Sequence, residues 1–589
     1  MAHFTAYILP CLYCTVLSPL LQQNIYEFFL PTSLPPSPFH NFSESSALIL
    51  WGFQNLFFKN HPLFSQNHLT NQSKNAALRA LDQKVHFFDW RPFLMLPYNS
   101  GGHAAFQYTF VSQFHKFYPD PFVLPKSTWD YIVQFWYLDL SKTDSIMQEC
   151  YSVFGPEPRL PSCMLRSYLL ALKLKVTSIT VWCRMLKETP LYAILSGFSF
   201  ENTPGVGTFY DFFSRIWQHD SNNLSPKDRF PKIKKTPKGK KKGDKTPCDS
   251  SSMASKLLPL LERRQLKPQN PFFLIFRLYQ QQFLGQSIHR GLIIPRHLAL
   301  AGDGTPVRTA AQQRKKRICH CKEKGRSSCD CKRHYSQPDC NWGWDSHREC
   351  YFFGYHLYMY VASDSFSDLP VFPLLERASR HDMLSFLHSF FTMKAYLPEF
   401  QIEKLLLDSA HDAYAVYEYC RREHITPFID LNPGHTGHFT YKDDFTIDDG
   451  GLPVCKLGLR MHKDGYEAAK HRAKYRCPKS NRKRGCFCEH PCSPAKYGRT
   501  VHIFTDDNPR LFNIPPRDSK AWEKEYDRRT SVERSNKREK EDYKLEDGRH
   551  RSTKMWYCRL YGIMMLQHLD AWEMPSVKAF QKSFLGLAA

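Results

Sequence analysis

The sequence predicts a mixed α/β core, preceded by an all-helical region and interrupted by a β-rich insertion that carries cysteines. Three observations predict it. Apolar residues recur at helical spacing between Phe122 and Trp217, and short apolar runs alternate with helical ones from 298 to 432. Residues 433–512 then lose both rhythms to Gly, Lys, Cys and short β-like runs such as RTVHIF. With 42% hydrophobic and 15% aromatic residues the chain can bury several cores, which excludes wholesale disorder. It contains no run of ~18 consecutive apolar residues, so a multi-span membrane protein is excluded and no membrane partner is expected. The opening MAHFTAYILPCLYCTVLSPLL has no Lys or Arg ahead of its apolar run and is broken by Pro10 and Pro19, so it does not read as a secretory signal.

The elements follow in order. Residues 1–85 are rich in Phe, Leu, Pro, Asn and Ser without clean periodicity and receive no role beyond an N-terminal appendage. Residues 86–218 form the helical region. There SCMLRSYLLALKLKVTSITVWCRMLKETPLYAILSGF places Leu165, Leu169, Leu172 and Ile179 near helical spacing, with Ser162 as N-cap. TPGVGTFYDFFSRIW reads as a Gly-bearing turn entering an aromatic helix. Basic residues between the apolar ones suit a DNA-end-binding domain and a plain helical bundle alike. Residues 219–256 form a linker, because the lysines of KIKKTPKGKKKGDKTP repel one another and nothing apolar accompanies them to be buried. It is a solvated tether that can also strap phosphates.

Residues 257–432 hold the first part of the α/β core. LALAGDGTPV is a strand ending in Asp303, and YFFGYHLYMYVAS and LPVFPLLER are two more. HDMLSFLHSFFTMKAYL is a helix with Asp382 near its start, where a negative charge suits the dipole. IEKLLLDSAHD is a buried strand ending in Asp408, DAYAVYEYCRREH a helix and TPFIDLN a strand. A Cys-rich loop spans 317–350. The insertion occupies 433–512, and 513–589 returns to the core with a long polar helix from Ser519 to His568.

Asp303 and Asp408 each close an apolar strand, and ligands meet open α/β sheets at the carboxyl ends of strands. Singly, each is an ordinary turn residue. With a third carboxylate they could hold magnesium or manganese, hard cations that prefer oxygen ligands, in a two-metal site for phosphoryl displacement. The long helix offers that group. Tyr526, Arg529, Glu533 and Lys540 lie at offsets of 0, 3, 7 and 14, within about a 60° arc of one helix face. A carboxylate flanked by two cations suits a phosphate backbone. By itself the stripe also fits an exposed charged helix.

The spacing Y-x2-R-x3-E-x6-K resembles the Y-R-E-K signature of the DDE transposases encoded by bacterial insertion sequences. AGDGTPV, LLLDSAHDA, SRHD, SCMLRSYLLALKLK and TPGVGTFYDFF are also similar to that family, and the resemblance covers about residues 120–570. It implies a ribonuclease-H-like catalytic core and cut-and-paste transposition: metal-dependent cleavage at transposon ends, then strand transfer into target DNA. It gives Asp303, Asp408 and Glu533 the catalytic, magnesium-binding roles, and Tyr526, Arg529 and Lys540 the DNA contacts. Asp412 is the substitute considered for Asp408. The implied partners are terminal inverted repeats, target DNA and a second copy in a homodimer on DNA, in a cytoplasmic, nucleoid-associated location. Family members hold a flipped base on an aromatic residue, often Trp, of the insertion, whereas 433–512 contains no Trp. The alternatives are a catalytically inactive, domesticated DNA-binding protein and a ribonuclease-H-like structure-selective nuclease without strand transfer.

A formal charge of +24 agrees with a polyanionic partner. Ten of the 19 cysteines crowd into 319–350 and 477–492, and without a signal sequence metal binding is expected over disulfides. Cys319, Cys321, Cys329 and Cys331 form one candidate zinc set; Cys477, Cys486, Cys488 and Cys492 form the other. Reduced thiols without metal are the simpler alternative.

Overall fold

A computed structural model describes residues 102–120, 124–152, 158–224, 252–263, 270–311, 323–325, 337, 339–432, 439–440, 445–448, 450–481, 485–486 and 488–586. The appendage 1–85, most of the Lys-rich linker, and Cys319, Cys321, Cys329 and Cys331 lie outside the described residues.

The first described stretch is helical, as expected. It comprises α1 (Gly102–Phe117), α2 (Lys126–Tyr137), α3 (Ser141–Met147), α4 (Pro161–Lys173), α5 (Ile179–Glu188), α6 (Pro190–Ser196) and α7 (Val206–Ile216). Proline opens α4 and α6, where its fixed φ is already helical and its missing N–H costs nothing. Ser162 is not the N-cap; Leu160 holds that position. Instead the Ser162 N–H and hydroxyl both donate to Asp144 of α3, at 2.8 Å each. After the linker come α8 (Met253–Arg263), α9 (Phe273–Tyr279) and, through a π turn, α10 (Gly285–His289).

The central sheet is mixed. Its strands are β1 (Leu298–Arg308), β2 (Asn341–Asp345), β3 (Cys350–Ala362), β4 (Leu369–Arg377), β5 (Ile402–Leu407) and β6 (Thr426–Ile429). Helix α11 (Asp382–Tyr396) connects β4 to β5, and α12 (Tyr414–Arg422) connects β5 to β6. β3 pairs antiparallel with β1, β2 and β4, whereas β1, β5 and β6 run parallel. β2 and β4 occupy successive stretches of β3, residues 350–354 and 355–362. Strands β3 and β4 are buried on both faces, which explains their unbroken apolar runs. The expectation for Asp303 needs correction: β1 continues to Arg308, so Asp303 lies inside the strand. Its antiparallel pairing with β3 outlasts its parallel pairing with β5, which stops at Ala301.

The C-terminal region also departs from expectation. In place of one long polar helix there is a rod of α13 (Lys520–Tyr526), a 3-10 turn (Asp527–Arg529), α14 (Thr530–Lys537) and a π turn (Arg538–Asp542). The chain then breaks at Lys544, in left-handed backbone, before α15 (Thr553–Ala571) and α16 (Val577–Gly586). Helix α15 is not a surface helix. Every residue from Thr553 to Leu569 is buried, and its polar side chains find partners inside. Arg559 donates to the carbonyls of Tyr543, Lys544 and Leu545, while Gln567 donates to Glu539 and accepts from Ser535. Gly562 lets α4 approach, since a Cβ there would overlap Leu172. Phe580 and Phe584 of α16 reach Trp136 of α2, so one apolar core runs from the helical region through the sheet to the C-terminus. Each large side chain buried there is worth about 1.5–3 kcal/mol.

The insertion is β-rich, with a small core of its own. β7 (His462–Glu467), β8 (Arg472–Arg476) and β9 (Thr500–Phe504) form an antiparallel sheet over Tyr475, Val501 and Ile503. No helix among the described residues is long and apolar enough to cross a membrane.

Candidate active site

Parallel pairing brings the two aspartates together. Leu300 is opposite Leu405 and Ala301 opposite Leu406. The pairing ends there, two residues short of Asp303 and Asp408, and the two carboxyls remain near enough for the charge of Asp408 to act on Asp303. Asp408 ends β5 and caps the 3-10 turn that follows, accepting the Ala410 N–H at 3.2 Å. In that turn His411 is fully buried, with Nδ1 2.5 Å from Asp408 and Nε2 2.8 Å from the Tyr358 hydroxyl.

A third carboxylate joins from the opposite side. Asp382 opens α11, with His381 capping the helix, and its Oδ1 lies 2.8 Å from His356 Nε2 on β3. Both groups occupy the space beside Gly304, where any Cβ would overlap them. The glycine next to Asp303 therefore admits the His356–Asp382 pair.

The electrostatics follow from this crowding. Burial, then the charges of Asp408 and Asp382, push Asp303 up to about 7. Burial also acts to raise Asp408, but the hydrogen bond and charge of His411 outweigh it and hold Asp408 below its ordinary value. His356 does the same for Asp382. Burial would lower His411, yet Asp408, Asp382 and Asp303 together raise it. Two of the three acids thus have a histidine each; Asp303 has none.

The helical rod lies on the face of the sheet that carries Asp303. In the β1–β3 register Asp303 is opposite Met359 and Thr305 opposite Leu357, on a single face, and Lys540 Nζ donates to Thr305 Oγ1 at 2.6 Å. Tyr526 stacks on Trp522 at 4.4 Å, and the Arg529 guanidinium sits 5.7 Å from the Tyr526 ring. Arg529 Nη1 pairs with Glu533 Oε1 at 2.8 Å and also feels the charge of Asp303. Burial lowers Arg529, but Glu533, Tyr526 and Asp303 raise it on balance. The fold unites Asp303 with Asp408 and sets Tyr526, Arg529 and Lys540 alongside. Glu533, half-exposed, is held by Arg529 rather than by the aspartates. Accordingly, among the described residues no three His, Cys, Asp or Glu are gathered tightly enough to hold a metal ion.

The nearby donors are carboxylate oxygens, the type a hard cation prefers. Asp303, Asp408 and Asp382 lie close enough to act on one another, and burial with the two neighbouring charges drives Asp303 toward its protonated form. Asp412 is occupied elsewhere, in a bidentate pair with Arg510 and as acceptor from Tyr417. Of the second cysteine set, Cys477 is buried, Cys488 half-buried and Cys492 exposed, and none is in a disulfide; the side chain of Cys486 lies outside the described residues. The described members do not form a zinc-holding group.

Sequence reasoning missed His356 and His411 and gave Asp382 only a dipole role. One signal was available for Asp382: a helix opening on an acid right after His381, between two strands of the same sheet. His356 gives no signal within an apolar strand. No model of a known protein family matches this chain, and no curated protein aligns with it significantly.

Proposed function

We propose that the chain is a DNA transposase of the DDE type with a ribonuclease-H-like core, cutting at transposon ends and joining the freed ends to target DNA. The observation that carries this is the juxtaposition of Asp303 and Asp408 at adjacent parallel strands, with the Tyr526–Lys540 stripe across the same strand. The sheet supports it: four strands (β1 to β4) joined by antiparallel pairing, then β5 and β6 parallel to β1, with α11 and α12 as the connections, suit a ribonuclease-H-like fold.

Asp303, Asp408 and Glu533 would hold magnesium or manganese, with Asp382 beside them. Such ions, when bound, polarise the phosphoryl group and lower the pKa of bound water. The chain's own residues do the rest. Tyr358 holds His411, which fixes the Asp408 carboxylate, and His356 fixes Asp382. Arg529 and Lys540 pair with phosphate oxygens, and Trp522 orients Tyr526. A phosphate arriving at Arg529 competes with Glu533 for the guanidinium and frees that carboxylate to turn toward the aspartates. The helical region and the Lys-rich linker supply further contact with DNA ends, consistent with the charge of +24.

The test is incubation of purified protein and Mg2+ with DNA bearing the inverted repeats that flank its coding region, plus a target plasmid. Cleavage at the repeat ends and joined products are expected. Cleavage without joining would assign the chain to structure-selective nucleases, and binding without cleavage to inactive DNA-binding proteins.

A further inference from the structure

The strand β2 reads Asn-Trp-Gly-Trp-Asp and presents its faces in an unusual sense. Gly343 and Asp345 point inward, with Gly343 packed so closely on Ala378 that a Cβ would overlap it. Trp342 and Trp344 point outward and are 51% and 54% exposed. Across the ladder Trp342 faces Phe353 and Trp344 faces Tyr351, itself 72% exposed. The rings meet edge to face at 5.7 and 4.9 Å. Two cross-strand aromatic pairs therefore form a solvent-facing platform on a β-ribbon. Burying large aromatics is among the strongest drives in folding, so leaving three of them out on one face calls for a ligand.

The position identifies the ligand. Tyr351 and Phe353 lie on the same face of β3 as Leu357 and Met359, the register partners of Thr305 and Asp303. Phe353 is four residues, ~13 Å, from Leu357 along the strand. The ribbon turn carries exposed His347 and Arg348, and Arg348 is close enough to Lys540 to act on its charge. Flat aromatic faces beside cations form the combination that holds unpaired nucleotides, by stacking on bases and pairing with the backbone.

We propose that Trp342, Trp344 and Tyr351 are a stacking platform for unpaired nucleobases of the DNA strand leading to the carboxylate site. This rests on the DNA-processing function proposed above. The test compares a fluorescently labelled single-stranded oligonucleotide with its fully paired duplex, by anisotropy, on the full chain. Trp344→Ala/Tyr351→Ala is expected to bind the single strand roughly tenfold or more weakly while duplex affinity stays within about twofold. Trp344→Phe/Tyr351→Phe, which keeps flat rings and the fold, is expected to restore most of the loss. Equal single-strand affinity of wild type and the alanine variant would overturn the platform and leave the DNA function standing, as would equal losses for duplex and single strand. Absence of any DNA binding by wild type would overturn both. Concentration-dependent self-association lost in the alanine variant, with DNA binding unchanged, would assign the aromatics to a second copy of the chain and likewise overturn the platform.

Discussion

Asp303 and Glu539 are both carboxyl groups raised first by burial, Asp303 to about 7 and Glu539 to about 8. Their surroundings separate them. The next influences on Asp303 are Asp408 and Asp382, which add negative charge to negative charge. Glu539 instead accepts a hydrogen bond from Gln567 at 3.3 Å and is drawn down by Lys540 and Arg538. One is a cluster of like charge that His411 and the Gly304 N–H relieve only in part; the other is a lone acid serving as a neutral hydrogen-bonding group within the rod. A raised carboxyl therefore does not mark a site by itself. Accumulated like charge does.

The comparison is broken most readily by exchanging each acid for its amide. Asp303→Asn is expected to slow DNA cleavage by about three orders of magnitude, since metal assistance is worth several kcal/mol. Glu539→Gln is expected to leave cleavage within about twofold, and initial rates on a nicked-product gel check both. Gly304→Ala comes next. Its methyl group displaces Asp382 and the buried His356, so cleavage is expected to fall roughly 10- to 100-fold, with a stability cost of about 1–3 kcal/mol seen as a lower melting temperature.

Stability sharpens the contrast further. Folded Glu539 keeps its proton up to about pH 8, whereas an unfolded Glu loses it near 4.5, so the unfolded state binds fewer protons in between. Wild-type stability therefore falls as pH rises through that window. Glu539→Gln removes the fall: it is expected to be stabilising by ~2 kcal/mol above pH 8 and neutral below pH 4.5, read from denaturant melts across pH. The smallest effect belongs to Asp382→Asn. Because His356 favours the charged form of Asp382 on balance, Asp382→Asn is expected to lower metal-free stability by about 1 kcal/mol while also shrinking the stabilisation that Mg2+ gives, seen as melting temperatures with and without the ion.

Much of the core was legible in the sequence because its periods are strong. The apolar runs of β3, β4 and β5 and the helices α11 and α12 fall where spacing places them. Asp408 was legible as a strand end, whereas the single helix face expected for Tyr526, Arg529, Glu533 and Lys540 is spread over a rod that 3-10 and π turns interrupt. What was not legible depends on pairing. β1 runs past Asp303 because β3 continues beside it, a partner that no local pattern in AGDGTPV announces. The burial of α15 comes from neighbours on every side, and its Arg559, Gln567 and His568 disguise it as a surface helix until their internal partners appear. His356 and His411 gain meaning only beside acids far away in the chain.

The convergence of Glu533 on Asp303 and Asp408 is the point on which the catalytic role depends, because in this structure Arg529 holds that side chain. Calorimetric titration of Mn2+ into the protein bound to duplex DNA tests it directly, with Asp303→Asn, Asp408→Asn and Glu533→Gln beside wild type. Loss of Mn2+ binding in all three variants is predicted. Undiminished binding by Glu533→Gln, with binding lost in the two aspartate variants, would contradict a three-carboxylate site.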